Sequence, residues 1–132
     1  TSWSFSGNVN TNIVSSVITA SDPSYMSAIG KQLIYTPELQ YRSQWSVAYK
    51  TLELRYHHNY TGYRYTTVDH SHFLDPFEFA EIHLAWSHHI KSSQFTLSAG
   101  IKNLYSENYQ TIAWRPMPGR SFHTGLLFTF GK

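Results

Sequence analysis

This chain of 132 residues contains eight histidines. Histidine side chains can bind metals or transfer protons near neutral pH, so they are the first candidates for a functional site. Three close pairs occur: His57–His58, His70–His72 and His88–His89. Neighbouring residues of a strand point to opposite faces, so an adjacent pair in a strand cannot hold one ion through both rings. His70 and His72 would share a face if extended, and with Asp69 they are candidate metal ligands. Since no further well-spaced ligand accompanies them, we favour a solvated loop and predict no metal and no cofactor.

Catalytic motifs do not stand out in the sequence. It contains no glycine-rich phosphate loop, no nucleophile elbow and no pair of carboxylates at acid–base spacing. It lacks cysteine, which excludes disulfides and thiolate metal sites, and its net charge of +2 gives no nucleic-acid-binding footprint. We therefore predict that the chain is not an enzyme, has no catalytic residues and does not bind nucleic acid.

The elements that would position any site are predicted by a hydrophobic period of two. In the first segment, Trp3, Phe5 and Val9 alternate with serines and asparagines on the other face. Five further segments show the same alternation, at residues 39–50, 51–60, 80–87, 95–102 and 121–130. The pattern predicts an all-β fold of six strands, each with one apolar and one polar face.

The connections between these strands alternate in length. Long segments at residues 14–36, 62–76 and 104–119 are separated by tight turns near Lys50 and Ser92. Tight turns at one end and long loops at the other are typical of a transmembrane antiparallel β-barrel. The strand lengths also match the roughly 9–11 residues that cross a bilayer at a tilt. A barrel of this kind places all long loops on the outer side.

The two faces of the strands favour the same fold. Mean hydropathy is −0.38, and no apolar run approaches the roughly 18 residues of a membrane helix. On one face we predict lipid contact for Leu84, Trp86, Leu97, Leu126 and Phe128. On the other we predict that the lumen is lined by Arg42, Glu53, Arg55 and Lys102. Charges are costly in a dry core and ordinary in a water-filled or plugged lumen.

The end of the sequence adds a more specific signal. The stretches NLYSENYQ, RPMPGRSF and a final alternating strand ending in FTF resemble the C-terminus of TonB-dependent outer-membrane receptors. The resemblance rests on Asn103, Leu104, Tyr105, Tyr109, Pro118, Gly119, Arg120, Phe122, Gly125, Phe128 and Phe130. GKQLIYTPELQY and YTGYRYTT resemble segments of the vitamin-B12-receptor-like members of the Bacteroidetes type. The chain departs from the pattern where Gly131 and Lys132 follow the terminal aromatic residue.

This resemblance implies that the chain is the last six strands of a 22-stranded barrel, with the plug domain and the earlier strands absent. A sequence that starts in the middle of an alternating pattern agrees with a fragment. In this family Phe122, Phe128 and Phe130 would belong to the closing strand that the assembly machinery recognises. The implied partners are the rest of the barrel and plug, the TonB complex acting through that plug, outer-membrane lipid and a surface lipoprotein. The implied location is the outer membrane of a Gram-negative bacterium.

The function implied by the resemblance is uptake of a scarce nutrient such as a siderophore, haem or cobalamin. Aromatic residues of the long loops are candidates for stacking on such a ligand: Tyr63, Tyr65, Tyr105, Tyr109 and Trp114. Two alternatives stay open. One is a small outer-membrane barrel enzyme that uses His83 or His123 with a serine, and the other is a soluble β-sandwich that binds carbohydrate on exposed aromatic residues.

Overall fold

The computed structural model describes residues 2–19 and 22–130, and its regular structure is almost entirely antiparallel β-strand. The strands are β1 (Trp3–Ile13), β2 (Leu39–Tyr49), β3 (Leu52–Thr61), β4 (Arg64–Tyr65), β5 (Phe73–Leu74), β6 (Phe77–Ile90), β7 (Ser93–Lys102), β8 (Gln110–Ile112), β9 (Arg115–Pro116) and β10 (Ser121–Thr129). A 3-10 helix at Pro23–Ala28 is the one helical element of the described residues. The prediction of an all-β chain with six long strands is confirmed.

The six long strands form one sheet in the order β1-β2-β3-β6-β7-β10. Its register places Leu54 opposite Leu84, and Leu84 opposite Ala99, so apolar side chains form continuous rows across neighbouring strands. The five residues predicted to contact lipid share this face, and the four predicted lumen residues share the other face. A slip of one residue would exchange the two faces, so the alternation in the sequence specifies this register.

The sheet is a single layer. Each long strand contacts only its neighbours in the ladder, and no second large sheet covers either face within the described residues. The buried apolar residues of this part of the chain are only Ala28 and Ala80. Phe122 and Leu126, in contrast, are 73% and 68% exposed. A β-sandwich needs two facing layers, and the described residues supply one.

The sheet is also open. β1 pairs only with β2, and β10 pairs only with β7, so each has one free edge in the described chain. Long exposed edges of this kind template pairing with further strands. The architecture shown by this chain is therefore an antiparallel sheet with one apolar face, and a closed barrel is not formed by these six strands alone.

Both tight turns lie at the same end of the sheet. Lys50 joins β2 to β3 and Lys91 joins β6 to β7, and both adopt a positive φ, of 53° and 54°. The start of β1 and the end of β10 lie at this end too, because Trp3 pairs with Tyr49 and Phe128 pairs with Phe95. The three long connections leave the opposite end, as the alternation of their lengths predicted.

Strand β6 differs from its predicted extent, because it spans 14 residues rather than residues 80–87. The pattern reverses at both of its ends. Phe77 and Phe79 lie on the polar face of the sheet, whereas Glu78 and His88 lie on the apolar face. Backbone pairing with β3 and β7 overrides the local pattern here. The long connections are also more ordered than predicted, since the second and third contain the β4–β5 and β8–β9 hairpins.

Candidate ligand-binding groove

A ladder of amide side chains lies on the polar face of the sheet, near the end that bears the long loops. Strand β1 supplies Asn8, Asn10 and Asn12, because its alternation places every second residue on this face. The register sets Asn10 beside Arg42 of β2, and Arg42 beside Asn59 of β3. The Arg42 Nε atom donates a hydrogen bond of 2.8 Å to Asn59 Oδ1. The ladder therefore crosses three strands.

Aromatic rings complete the groove on its other side. Phe77 and Phe79 project from β6, and Tyr109 reaches them from the third long loop. The ring centroids of Phe77 and Tyr109 are 4.3 Å apart at an interplanar angle of 22°, and those of Phe79 and Tyr109 are 5.9 Å apart. Burial, followed by the nearby charge of Glu81, raises the pKa of Tyr109, so its hydroxyl stays protonated at neutral pH.

Amides and aromatic rings together enclose a groove of about 600 Å³. Its lining includes Asn8, Asn10, Asn12, Gln40, Arg42, Asn59, Phe77, Phe79, Tyr109 and Thr111. Arg42 is the only charged residue of that lining. Ligand sites of this type combine apolar and aromatic walls with a few polar groups that set the ligand's orientation.

The aromatic wall is supported from behind by Arg64, which is only 4% exposed. Its guanidinium carbon lies 4.9 Å from the centroid of the Phe77 ring, and Nη2 donates to the carbonyls of Asp75 and Gln110 at 3.2 and 3.1 Å. Burial lowers the pKa of Arg64 from its ordinary value. By bonding to two separate loops, Arg64 holds Phe77 and the β8 strand in position. Sequence reasoning missed this role because an arginine in a loop sequence looks solvated.

The loop that presents Tyr109 is closed by Asn103, which is 1% exposed and has a φ of 51°. Its Nδ2 donates to the carbonyls of Glu107 and Pro118 at 2.8 and 3.3 Å, and its Oδ1 accepts from the Glu107 amide at 2.8 Å. One side chain thus connects the beginning and the end of the loop. The asparagine that contributes to the family resemblance has a structural role in this chain.

The five predicted ligand-contact residues do not form one cluster. Tyr109 lines the groove, whereas Tyr63 packs edge-on against Phe73 and Tyr65 stacks on His70 at 3.6 Å. Tyr105 lies over the opposite, apolar face, where its hydroxyl is 2.7 Å from that of Tyr56. All four predicted tyrosines pack against other rings of the chain, and of these four only Tyr109 lines the groove.

The fifth, Trp114, is at the tip of the β8–β9 hairpin, with a φ of 65° and an exposure of 92%. It borders a second, outer groove of about 680 Å³, to which all three long loops contribute. That groove is lined by Tyr35, Thr66, Thr67, His72, Phe73, Leu74, Gln110, Ala113 and Trp114. Gln110 lines the outer groove while Tyr109 and Thr111 line the inner one, so β8 separates the two.

The region of the candidate metal ligands His70 and His72 forms hydrogen bonds within and between the long loops. Nε2 of His70 lies 2.8 Å from the carbonyl oxygen of Gln32, which joins the first and second long loops. Asp69 accepts hydrogen bonds from the hydroxyl and the amide of Ser71 at 2.8 and 3.1 Å. Hydrogen bonds from Thr67 and Ser71 hold the pKa of Asp69 well below its usual range. Across residues 2–19 and 22–130, no three histidine or carboxylate side chains are grouped to hold a metal.

The histidines proposed for an enzyme, His83 and His123, stack across the polar face with ring centroids 5.8 Å apart. The ring of His123 lies over Gly100, where an added Cβ would come within 2.4 Å of it. The ion pair between Arg55 and Glu53, at 2.7 Å, occupies the same face. In the described part of the chain, neither histidine forms a hydrogen bond with a serine hydroxyl.

Near the end of the described chain, Phe128 packs against Phe95 and Phe130, with ring centroids 6.5 and 4.6 Å away, while Phe122 is largely exposed. Among the described residues, no helix is long and apolar enough to cross a membrane.

Comparison with protein-family models and with curated proteins finds no match for this chain. The family resemblance therefore rests on the motifs of the sequence.

Proposed function

We propose that this chain forms the last six strands of an outer-membrane TonB-dependent transporter that takes up a scarce nutrient. The observation that supports this proposal is the single-layer sheet with an exposed apolar face. Soluble monomers rarely expose apolar patches larger than a few hundred Å², and larger ones mark contacts with membranes or other proteins. Here apolar side chains from all six strands share one exposed face. Lipid is the partner that would cover such a face along its whole width.

The polar face supports the same proposal from the other side. Arg42, Glu53, Arg55 and Lys102 all lie there, away from Leu97. A lysine or arginine facing lipid at the bilayer midplane costs roughly 2–4 kcal/mol. In the proposed barrel, all four charges face a hydrated lumen that also holds the plug domain. Transport then needs no catalysis by this chain, and the energy would come from TonB acting on the plug.

The directions of β1 and β10 determine whether the proposed barrel needs an even or an odd number of additional strands. β1 runs away from the turn end and β10 runs toward it, because the tight turns lie beside Tyr49 and Phe95. The strand that pairs with β1 must run toward the turn end, and the strand that pairs with β10 must run away from it. Hairpin-linked strands alternate in direction, so the number of additional strands is even. A 22-stranded transporter barrel with a plugged lumen meets this condition.

The proposed assignment of one sheet face to lipid and the other to the lumen is tested with single-cysteine variants of the complete receptor, reconstituted in liposomes. Leu97→Cys and Leu126→Cys, labelled with an environment-sensitive fluorophore, should be quenched strongly by brominated lipids. The matched variants Arg55→Cys and Lys102→Cys, from the other face, should resist that quenching and respond to iodide in the water phase. Equal quenching of the two sets by brominated lipids would rule out the proposed barrel wall.

The orientation is tested separately with intact cells. Protease added outside should cleave within residues 14–36, 62–76 or 104–119 and spare the turns at Lys50 and Lys91. Cleavage at the turns with intact long loops would mean that the orientation is inverted. Both tests require that the receptor is folded. Its presence in the outer-membrane fraction and its heat-modifiable migration on gels establish this.

A further inference from the structure

We propose that a pocket at the loop-bearing rim of the apolar face binds the primary ammonium group of a membrane-lipid head group. This inference rests on the proposed function, which assigns the apolar face to lipid and the long loops to the outer side. The pocket has a volume of about 380 Å³ and is lined by Tyr60, Pro76, Phe77, Glu78, Tyr105 and Glu107. Its position, its charge and its rings each favour this ligand.

The pocket lies at the level where the strands would leave the hydrocarbon of the membrane. The register places Tyr41, Tyr60 and Glu78 side by side on the apolar face, at the end of the sheet that bears the long loops. The amide of Leu104 donates a hydrogen bond of 2.8 Å to the carbonyl of Ala80, at the start of the loop that carries the pocket's second tyrosine. Tyrosines are enriched at membrane interfaces, where their rings lie among lipid head groups. A ligand at this level is a head group rather than an acyl chain.

The charge of the pocket favours a cation, although the chain as a whole has a net charge of +2. Glu78 and Glu107 contribute to the lining, and no lysine, arginine or histidine does. Within the described residues, the carboxylate of Glu107 forms no ion pair, and that of Glu78 faces only the His58 ring, with 3.4 Å between Oε2 and Nε2. Arg64 donates instead to two loop carbonyls. Both carboxylates are therefore available to a cationic ligand.

The aromatic rings add a second source of attraction, because the π-electrons of a ring attract a cation beside its face. Tyr105 is held by the bond of 2.7 Å between its hydroxyl and that of Tyr56, and its ring packs edge-on against His58 with centroids 6.1 Å apart. Glu107 is held through its backbone, because Asn103 accepts from its amide and donates to its carbonyl, both at 2.8 Å. The pocket is preorganised, so little conformational entropy is lost on binding.

The hydrogen-bonding groups of the pocket select a primary ammonium over a quaternary one. A primary ammonium has three N–H donors, and the carboxylates of Glu78 and Glu107 are acceptors. A trimethylammonium group has no donor, so it would leave these acceptors without hydrogen bonds where it displaced their water. Phosphatidylethanolamine and phosphatidylcholine carry these two groups on otherwise equal head groups, and they are therefore matched probes.

The test uses the complete receptor, shown to be folded by heat-modifiable migration and held in nanodiscs with equimolar amounts of the two lipids. Native mass spectrometry identifies the most tightly bound lipids after release from the nanodisc. Among these we expect the ethanolamine lipid to exceed the choline lipid about threefold, as expected for a cation at a partly exposed aromatic site. The double variant Glu78→Gln/Glu107→Gln should abolish this preference. Tyr105→Ala should lower it, whereas Tyr105→Phe keeps the ring and should keep most of it.

Glu81→Gln is the matched control, because Glu81 lies on β6 as Glu78 does but on the opposite face of the sheet. It should leave the preference unchanged. A soluble analogue, glycerophosphoethanolamine, distinguishes a lipid head group from a dissolved amine. Added at the concentration of the lipid, it should not displace the bound ethanolamine lipid.

The inference would be overturned if the folded wild-type receptor showed no preference between the two lipids. A preference that the double variant retains, or that Glu81→Gln abolishes equally, would also contradict it. Displacement by the soluble analogue would assign the pocket to a dissolved amine and refute the lipid ligand. All of these outcomes leave a folded receptor with Leu97→Cys quenched by brominated lipid, so they are distinct from failure of the proposed function, in which the receptor is not a membrane barrel.

Discussion

Asn103 offers a sharp test of how the groove is built, because one buried side chain closes the loop that positions Tyr109. Replacing it with alanine removes two hydrogen bonds to Glu107 and one to the Pro118 carbonyl. It also leaves an alanine at a φ of 51°, in the left-handed region that asparagine tolerates better than alanine. We therefore expect Asn103→Ala to open the loop locally while the sheet stays intact.

The expected loss follows from these contacts. Each hydrogen bond contributes about 1 kcal/mol net, and the longest of the three contributes less, so their sum is about 2–3 kcal/mol. The left-handed backbone adds about 1 kcal/mol for alanine. The local free energy of loop opening should fall by about 3 kcal/mol in total. Since 1.4 kcal/mol corresponds to a tenfold change, protection of the loop amides should fall by about 100-fold.

The assay is hydrogen exchange of the Glu107 amide in the complete receptor, because that amide donates to Asn103 Oδ1. Asn103→Gly should be less damaging than Asn103→Ala by about 1 kcal/mol, since glycine adopts the same φ without strain. Asn108→Ala, in the same exposed loop, is the matched control and should exchange as the wild type does. Unchanged protection of Glu107 in Asn103→Ala would refute this explanation of the loop.

Three further predictions concern the strands and the loop ends. Replacing Phe128 and Phe130 together with aspartate should abolish insertion of the complete receptor, and wild-type levels of heat-modifiable barrel would contradict this. Gly7→Ala places a Cβ within 2.3 Å of the Trp45 ring, so we expect the substitution to displace that ring and to lower the free energy of unfolding by about 1–3 kcal/mol. The fluorescence spectrum of Trp45 should shift, and an unshifted spectrum would contradict this prediction. The pKa of Asp69 is lower in the folded protein than in the unfolded chain, because Thr67 and Ser71 donate hydrogen bonds to the ionised carboxylate. These hydrogen bonds therefore stabilise the loop above about pH 4, and this stabilisation is lost as the pH falls further. Amide exchange in that turn should accelerate on acidification in the wild type and be insensitive to pH, after correction for intrinsic rates, in Asp69→Ala.

The predictions about the sheet succeeded where side-chain alternation was regular. In β3, Leu52, Leu54 and Tyr56 alternate with polar residues, and the observed register keeps them on one face. The position of the long loops also followed from the sequence, because antiparallel strands joined by two-residue turns must place their other ends together. Where the alternation reversed, at Phe77 and Phe79 of β6, the predicted strand was too short.

The candidate site was harder to predict, for a different physical reason. The predicted contacts were chosen as loop aromatics, but Tyr63, Tyr65 and Tyr105 pack against rings outside the groove. The Asn8, Asn10 and Asn12 ladder was visible only as the polar side of a strand. Its relation to Tyr109 depends on residues about 100 positions apart in sequence being adjacent in space, and no local pattern encodes that distance.

Taken by itself, the sequence determined the all-β class, the number of long strands, their facing and the end from which the long loops leave. These properties depend on the two-residue repeat of a strand and on the length of each connection, which are local. Only the tertiary structure decided that Arg64 and Asn103 hold two loops in place, that β8 divides an outer from an inner groove, and that amides meet aromatic rings. These features depend on strand pairing across the sheet and on loop packing, which are set by contacts between residues far apart in the chain.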